Sequence, residues 1–415
     1  MRLAVDRFRS WFWRPPRAHG EIDPERSVSF LELFYDLVYV VVIAQAARHL
    51  ATDISLGAAV EFSIVFALIW LAWLNGTLYY ELHGREDGRT RTFVFLQMAI
   101  LALLAVFTPD AAGAGGTAFA TVYAAFLLVL TWLWYSVRRR DRPEFMEATA
   151  RYLAAMIVSL VVIVISVFLP ADARLVAWAG LVVGWIAFSA VIGRQSRRRE
   201  VVGTRPTESM VERFDLLTII VLGEVVTGVV AGLSAVAKEP LTLATGLCAL
   251  FVGFGLWWIF FDFVGRRLPR DDGLMLNVWM VSHLPVTLAI AAAGASMVGL
   301  IEHANDVRTP PDIAWLLAGS VAVGLLALIV TAGTLEDYDR LAVVFRPVTH
   351  AMAGGAILAV VVGALQPPPW LLAFALVGIL LGVWLFAVDR ILRLDIHGPI
   401  RTKVADHGPE AGTRD

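Results

Sequence analysis

The sequence predicts an all-α integral membrane protein of about twelve transmembrane helices, arranged as two parallel six-helix repeats with both termini in the cytoplasm. Composition is the first observation behind this: 58% of the 415 residues are apolar and 17% charged, and mean hydropathy is +0.72. Soluble domains are nearer ~45–50% apolar. The second is segment length, since a spanning helix needs ~20 apolar residues and the chain divides into twelve such segments. The third is charge placement, because Lys and Arg should crowd alternate, cytoplasmic connections. With the N-terminus inside, all but Arg48, Arg174, Lys238 and Arg308 of the 34 Lys and Arg fall on the cytoplasmic side.

In chain order, residues 1–28 form a basic, aromatic N-terminal segment with Val5, Phe8 and Phe12 at helical spacing. That pattern suits an interfacial helix on an anionic leaflet or a basic tail. No apolar stretch followed by a small-residue cleavage site marks a removable signal peptide. The first repeat, 29–193, holds spans at 31–50, 58–80, 92–109, 117–137, 152–170 and 173–192, broken by connections such as AAGAGG and RRRDRPE. The basic linker 194–209 leads to the second repeat, 210–391, with spans at 212–235, 243–264, 275–301, 313–334, 348–366 and 370–390. Here RRLPRDDG and QPPP interrupt the apolar runs, and a polar tail, 392–415, follows. Cys248, the single cysteine, lies in an apolar segment, so the chain forms no internal disulfide.

The repeat is read from ELFYDLVYVVVIAQ and ERFDLLTIIVLGE, which align when Tyr35 is left unpaired. Glu32 then meets Glu212, Asp36 meets Asp215 and Gln45 meets Glu224; further on, Trp73 falls on Trp258, Thr77 on Asp262 and Gln97 on His283. Six helices per half give both halves one orientation. Transporters built from parallel repeats place their sites near the midplane, between the halves.

Through ELFYDLVYV, ERFDLLTIIVLGE and WMVSHLP, the chain resembles the bacterial low temperature requirement A family over nearly its whole length. The resemblance implies a multi-pass protein of the bacterial cytoplasmic (inner) membrane; the family name records a cold-growth phenotype and supplies no mechanism. Tyr35 and Tyr39 stand where the family tends to have Phe, and Asp215 where it tends to have a small residue, so the resemblance carries no role for Asp215. The start of the first span is also similar to that of potassium channels built from six-helix repeats.

Ionisable side chains inside spans are costly and mark interior or water-facing positions. Glu224, Gly-flanked and near mid-membrane, is the first candidate for proton or cation binding, with a cross-helix hydrogen bond as the alternative. His283, two residues before Pro285, is a candidate relay in a helix that proline interrupts, or a packed core histidine. Asp36, Gln45 and Gln97 complete the binding hypothesis. Glu32, Glu212, Asp215, Asp262 and Arg266 are expected to make structural ion pairs, Asp262 with Arg266 at i,i+4 spacing. No catalytic motif, metal-ligand pattern or cofactor signature occurs, and nucleic-acid binding has no signal. The expected partners are the bilayer and a small solute or ion. These features favour a secondary transporter or permease, with a monovalent cation channel or a lipid-interacting, lipid-modifying or otherwise non-transporting protein as alternatives.

Overall fold

Ser29 and Glu32 close a reciprocal cap at the start of the first span. The Ser29 hydroxyl accepts from the Glu32 N–H at 3.3 Å, and the Glu32 carboxylate accepts from the Ser29 N–H at 3.4 Å. Ser55, Asp87, Thr207 and Asp272 likewise accept from backbone N–H groups at helix starts. Each such cap stabilises by about 1 kcal/mol, and together they fix where the polar connections give way to helix.

The computed structural model describes residues 12, 14–18, 21, 28–85, 87–139, 141–196 and 206–395. Its long helices are α1 (Phe30–Thr52), α2 (Leu56–His83), α3 (Gly88–Phe107), α4 (Gly116–Arg138), α5 (Met146–Ser166), α6 (Ala171–Ser196), α7 (Glu208–Ala235), α8 (Pro240–Phe263), α9 (Gly273–Glu302), α10 (Pro311–Gly333), α11 (Ala342–Leu365) and α12 (Pro369–Asp395). All twelve are long and apolar enough to cross a membrane. A single helical turn, Asp337–Arg340, lies between α10 and α11, and the only extended pairing among the described residues is one bridge, Pro269 to Leu335.

Several helices start four to six residues before the apolar run predicted for them, as α5, α7 and α11 do. The first turns of α5 and α7 carry Glu147 and Glu208, and helix continues past the apolar run wherever a cap or the next turn satisfies the backbone. The interfacial helix expected within residues 1–28 lies largely outside the described residues. Of the described residues there, 14–18 dock on the α2–α3 turn. The Arg17 N–H donates to the His83 carbonyl at 3.1 Å, and the Arg14 N–H donates to Asp87 at 3.0 Å.

Within each half the packing order is the same. In the first, α1 packs on α3, α3 on α4, α4 on α5 and α5 on α6, and α6 returns to α2; α7 to α12 repeat this order. The halves are nevertheless used unequally. Helix α9 is the most enclosed span and packs on α1, α2 and α6 of the first half as well as α7 and α10 of its own. Its positional counterpart, α3, lies mostly exposed toward the bilayer. The two halves meet around α9.

Helix α9 also corrects one expectation. It runs unbroken through Pro285, so the interruption anticipated beside His283 does not form. Proline removes one N–H, yet close packing on every side leaves the helix nowhere to bend.

Candidate functional site

At the end of the bundle where α1 and α7 begin, here called the proximal end, one ion pair joins the two halves. Asp36 of α1 accepts from the Arg213 guanidinium of α7 at 2.7 Å, and both side chains are 0% exposed. The Trp73 indole of α2 donates to the same carboxylate oxygen at 2.8 Å. Moving two ions out of water costs several kcal/mol each, and only good geometry with further hydrogen bonds recovers it. Here the recovery is incomplete. Asp36 Oδ2 and Arg213 Nε and Nη1 have no hydrogen-bond partner among the described residues.

Aromatic rings close the site. Phe214, next to Arg213, meets Trp73 edge-on at 4.9 Å, and Trp279 and His283 of α9 at 4.6 and 4.9 Å. His283 Nδ1 contacts the Trp279 carbonyl at 2.7 Å, where the nitrogen must donate because the carbonyl only accepts. Its Nε2 is then a buried acceptor without a partner among the described residues.

On the other side of the pair, the Tyr35 and Tyr39 hydroxyls lie 3.2 Å apart, and the Tyr80 hydroxyl donates to Gln97 at 2.9 Å. The Tyr35 ring meets those of Tyr39 and Tyr80 edge-on at 5.2 and 6.0 Å. Nearby, the Thr207 and Ser209 hydroxyls donate to Glu81 at 2.8 Å each, a second link between α2 and α7 at this end. Trp73→Phe should remove one bond to a charged acceptor, worth about 1.5–3 kcal/mol. We expect a lower unfolding midpoint for that variant in detergent, and an unchanged one would show that the indole bond contributes nothing.

The sequence candidates therefore separate. Asp36, His283 and Gln97 lie in or against this cluster. Glu224 does not, standing eleven positions beyond Arg213, about 16 Å along α7. It is 5% exposed, and the cation that acts on it is Arg48 of α1, which is exposed and makes no ion pair with it within 4 Å. Gln45, half-buried, lies one turn before Arg48 on α1. Among the expected ion pairs, Asp262 and Arg266 do not pair. Helix α8 ends at Phe263, Arg266 takes a left-handed backbone (φ 60°), and Asp262 accepts instead from the Trp384 indole at 2.7 Å. Asp215 accepts from the backbone N–H of Arg266 at 2.8 Å, closing that turn rather than meeting the guanidinium. Glu212, Asp215 and Arg266 line a polar proximal cleft of about 880 Å³ with Glu208, Arg267, Glu336 and Asp337.

Arg213 and Arg48 are the residues that sequence reasoning missed. Charge counting places Arg213 with the cytoplasmic residues, although it falls inside the span beginning at 212. A lone arginine inside a span, on the chain that also carries an unmatched Asp36, was the available signal.

The model of the family described as bacterial low temperature requirement A protein (LtrA) matches residues 27–388. The chain belongs to the LtrA family. It is thus a multi-pass membrane protein of a bacterial family. A relative from Rhizobium meliloti (strain 1021), the uncharacterized protein RA0937, is 29% identical over 247 residues, which is 57% of this chain and 59% of that protein. The match thus spans about three fifths of the relative's length. No solved structure matches. In this LtrA protein the Tyr35 and Tyr39 hydroxyls of the first motif bond to each other inside the cluster.

Proposed function

We propose that this LtrA protein is a secondary transporter or permease for a small solute or ion, with proton coupling, and that Asp36–Arg213 is its proximal gate. The observation that carries this reading is the buried, incompletely satisfied ion pair between α1 and α7. Apolar side chains of similar volume hold helices together as well or better. A charged link with spare donors and acceptors is suited to exchange partners when an ion, proton or polar solute arrives. Glu224 and Arg48, further along the same two helices, form the second ionic position on the path, and the proximal cleft beside α7 forms its entrance.

In this proposal the halves are parallel repeats with both termini on the cytoplasmic face of the inner membrane. The shared packing order supports the repeat, while the central α9 and peripheral α3 give its halves different tasks. The recurring sequence pairs follow the same division. Trp73 is buried on Asp36, whereas Trp258 is 44% exposed and stacked on Trp384.

The test is flux in reconstituted vesicles. A pH gradient should drive uptake of protons or monovalent cations through the wild-type protein, and Glu224→Gln should abolish it while thermal unfolding stays unchanged. Undiminished flux in a folded Glu224→Gln variant would remove Glu224 from the path. Single-channel currents in place of saturable flux would make the protein a channel.

A further inference from the structure

We propose that the groove between the start of α3 and the end of α4 is a binding site for the phosphate of an anionic phospholipid. The groove, about 330 Å³, is lined by Arg14, Arg89, Trp132, Tyr135, Ser136 and Arg139, together with Pro15 and Pro16. Three guanidinium-bearing residues meet there, and no carboxylate is among the described residues that line it. Asp87 and Asp141, each two residues from a lining arginine, are both engaged: Asp87 Oδ1 accepts from the Thr90 N–H at 2.8 Å and its Oδ2 from the Arg14 N–H at 3.0 Å, and Asp141 accepts from the Thr149 hydroxyl.

The site is built in advance of any ligand. Arg89 is buried, with its guanidinium donating to the Ser136 hydroxyl at 2.8 Å and the Tyr79 hydroxyl at 3.3 Å. It also lies over the Phe93 and Trp132 rings, at 5.6 and 5.9 Å from their centres. Arg139 is exposed and held over Tyr135, to whose hydroxyl it donates at 2.8 Å. An arginine already held by hydrogen bonds and ring contacts loses little further freedom when it forks onto phosphate oxygens.

A lipid fits better than a free phosphate because of what surrounds the groove. Trp132 and Tyr135 are 47% and 42% exposed, the placement of aromatic residues at headgroup depth. Below them the outward faces of α3 and α4 expose Phe95, Leu96, Leu103 and Leu128, an apolar surface for acyl chains. Phosphate and tail contacts are thus offered in the order in which a phospholipid presents them.

The test uses the full-length protein, delipidated in neutral detergent, with bound lipid counted by native mass spectrometry. Phosphatidylglycerol should bind in preference to phosphatidylcholine. Its apparent affinity should fall about tenfold in Arg139→Gln, the loss of one hydrogen bond between charged groups. Arg151→Gln, an exposed charge removed elsewhere, should bind like wild type. Arg139 is exposed, so its variant folds; Arg89→Lys keeps the buried charge but loses the fork, and should bind more weakly as well. Equal binding of phosphatidylglycerol and phosphatidylcholine overturns the proposal, as does undiminished binding in both arginine variants. Inorganic phosphate that binds as tightly as phosphatidylglycerol, and competes with it, overturns the lipid and leaves a soluble phosphate ester as the ligand.

Discussion

Arg213→Met is expected to destabilise the folded protein by about 3–5 kcal/mol, the range for stranding one member of a buried ion pair. The variant leaves Asp36 fully enclosed, with only the Trp73 indole to meet its charge. The measurement is thermal or denaturant unfolding in detergent, arranged as a double-mutant cycle. Asp36→Asn alone should also destabilise, because it strands the guanidinium among aromatic rings. Joined to Arg213→Met, it should restore most of the loss, since asparagine keeps an oxygen for the Trp73 indole while neither position then carries charge. Singles that add without coupling would mean that the two side chains do not interact. The restored double variant also separates fold from gate. If the pair only holds α1 against α7, vesicles with the double variant keep coupled flux; if it gates, they leak.

The bundle was legible in the sequence because the bilayer imposes one rule on every span, and a run of ~20 apolar residues satisfies it wherever it occurs. Twelve spans were therefore recoverable, though helix ends were not. The cap at Ser29 and the polar first turn of α7 are decided by hydrogen bonds that hydropathy does not weigh. Asp36 and His283 stood out as costly residues within spans, and both lie at the junction of the halves.

What was not legible was the pairing. Arg213 sits two residues before Asp215 in the same motif, and the repeat alignment drew attention to the two aspartates as equivalents. Physically they differ. Asp36 faces the other half and takes a guanidinium, while Asp215 faces the end of α8 and takes a backbone N–H. Alignment compares a residue with its counterpart, whereas an ion pair depends on a third residue that the alignment never consults. The same limit explains Asp262. The i,i+4 spacing to Arg266 assumes that the helix continues, whereas Gly265 is a stop signal that the spacing does not weigh, and the chain turns through Arg266 in a left-handed conformation.

Gly228 and Gly294 should tolerate substitution least of the α7 and α9 glycines. These two helices form the most extensive pair in the bundle, and at this crossing backbone meets backbone. A Cβ added at Gly294 would sit 2.7 Å from the Glu224 carbonyl oxygen, and one at Gly228 would overlap the Gly294 carbonyl oxygen. A flexible side chain swings away from such a clash, but a helical carbonyl is held by its own hydrogen bond. The helices must therefore part, opening contacts along both. Overpacking costs about 1–3 kcal/mol in cores that can adjust, and the absence of a yielding neighbour puts Gly294→Ala at the upper end and Gly228→Val beyond it. Gly223→Ala is the control, because a Cβ there meets nothing within 4 Å. Unfolding midpoints should fall sharply for the first two and stay at or above the wild-type value for the third, since alanine is the better helix former in open space; three equal midpoints would contradict the close crossing. The consequence reaches the proposed path, since Glu224 lies one turn from Gly228 and its own carbonyl forms the contact. A folded Gly294→Ala variant would hold the Glu224 carboxylate at a new distance from Arg48, and its flux should drop even where its helices remain assembled.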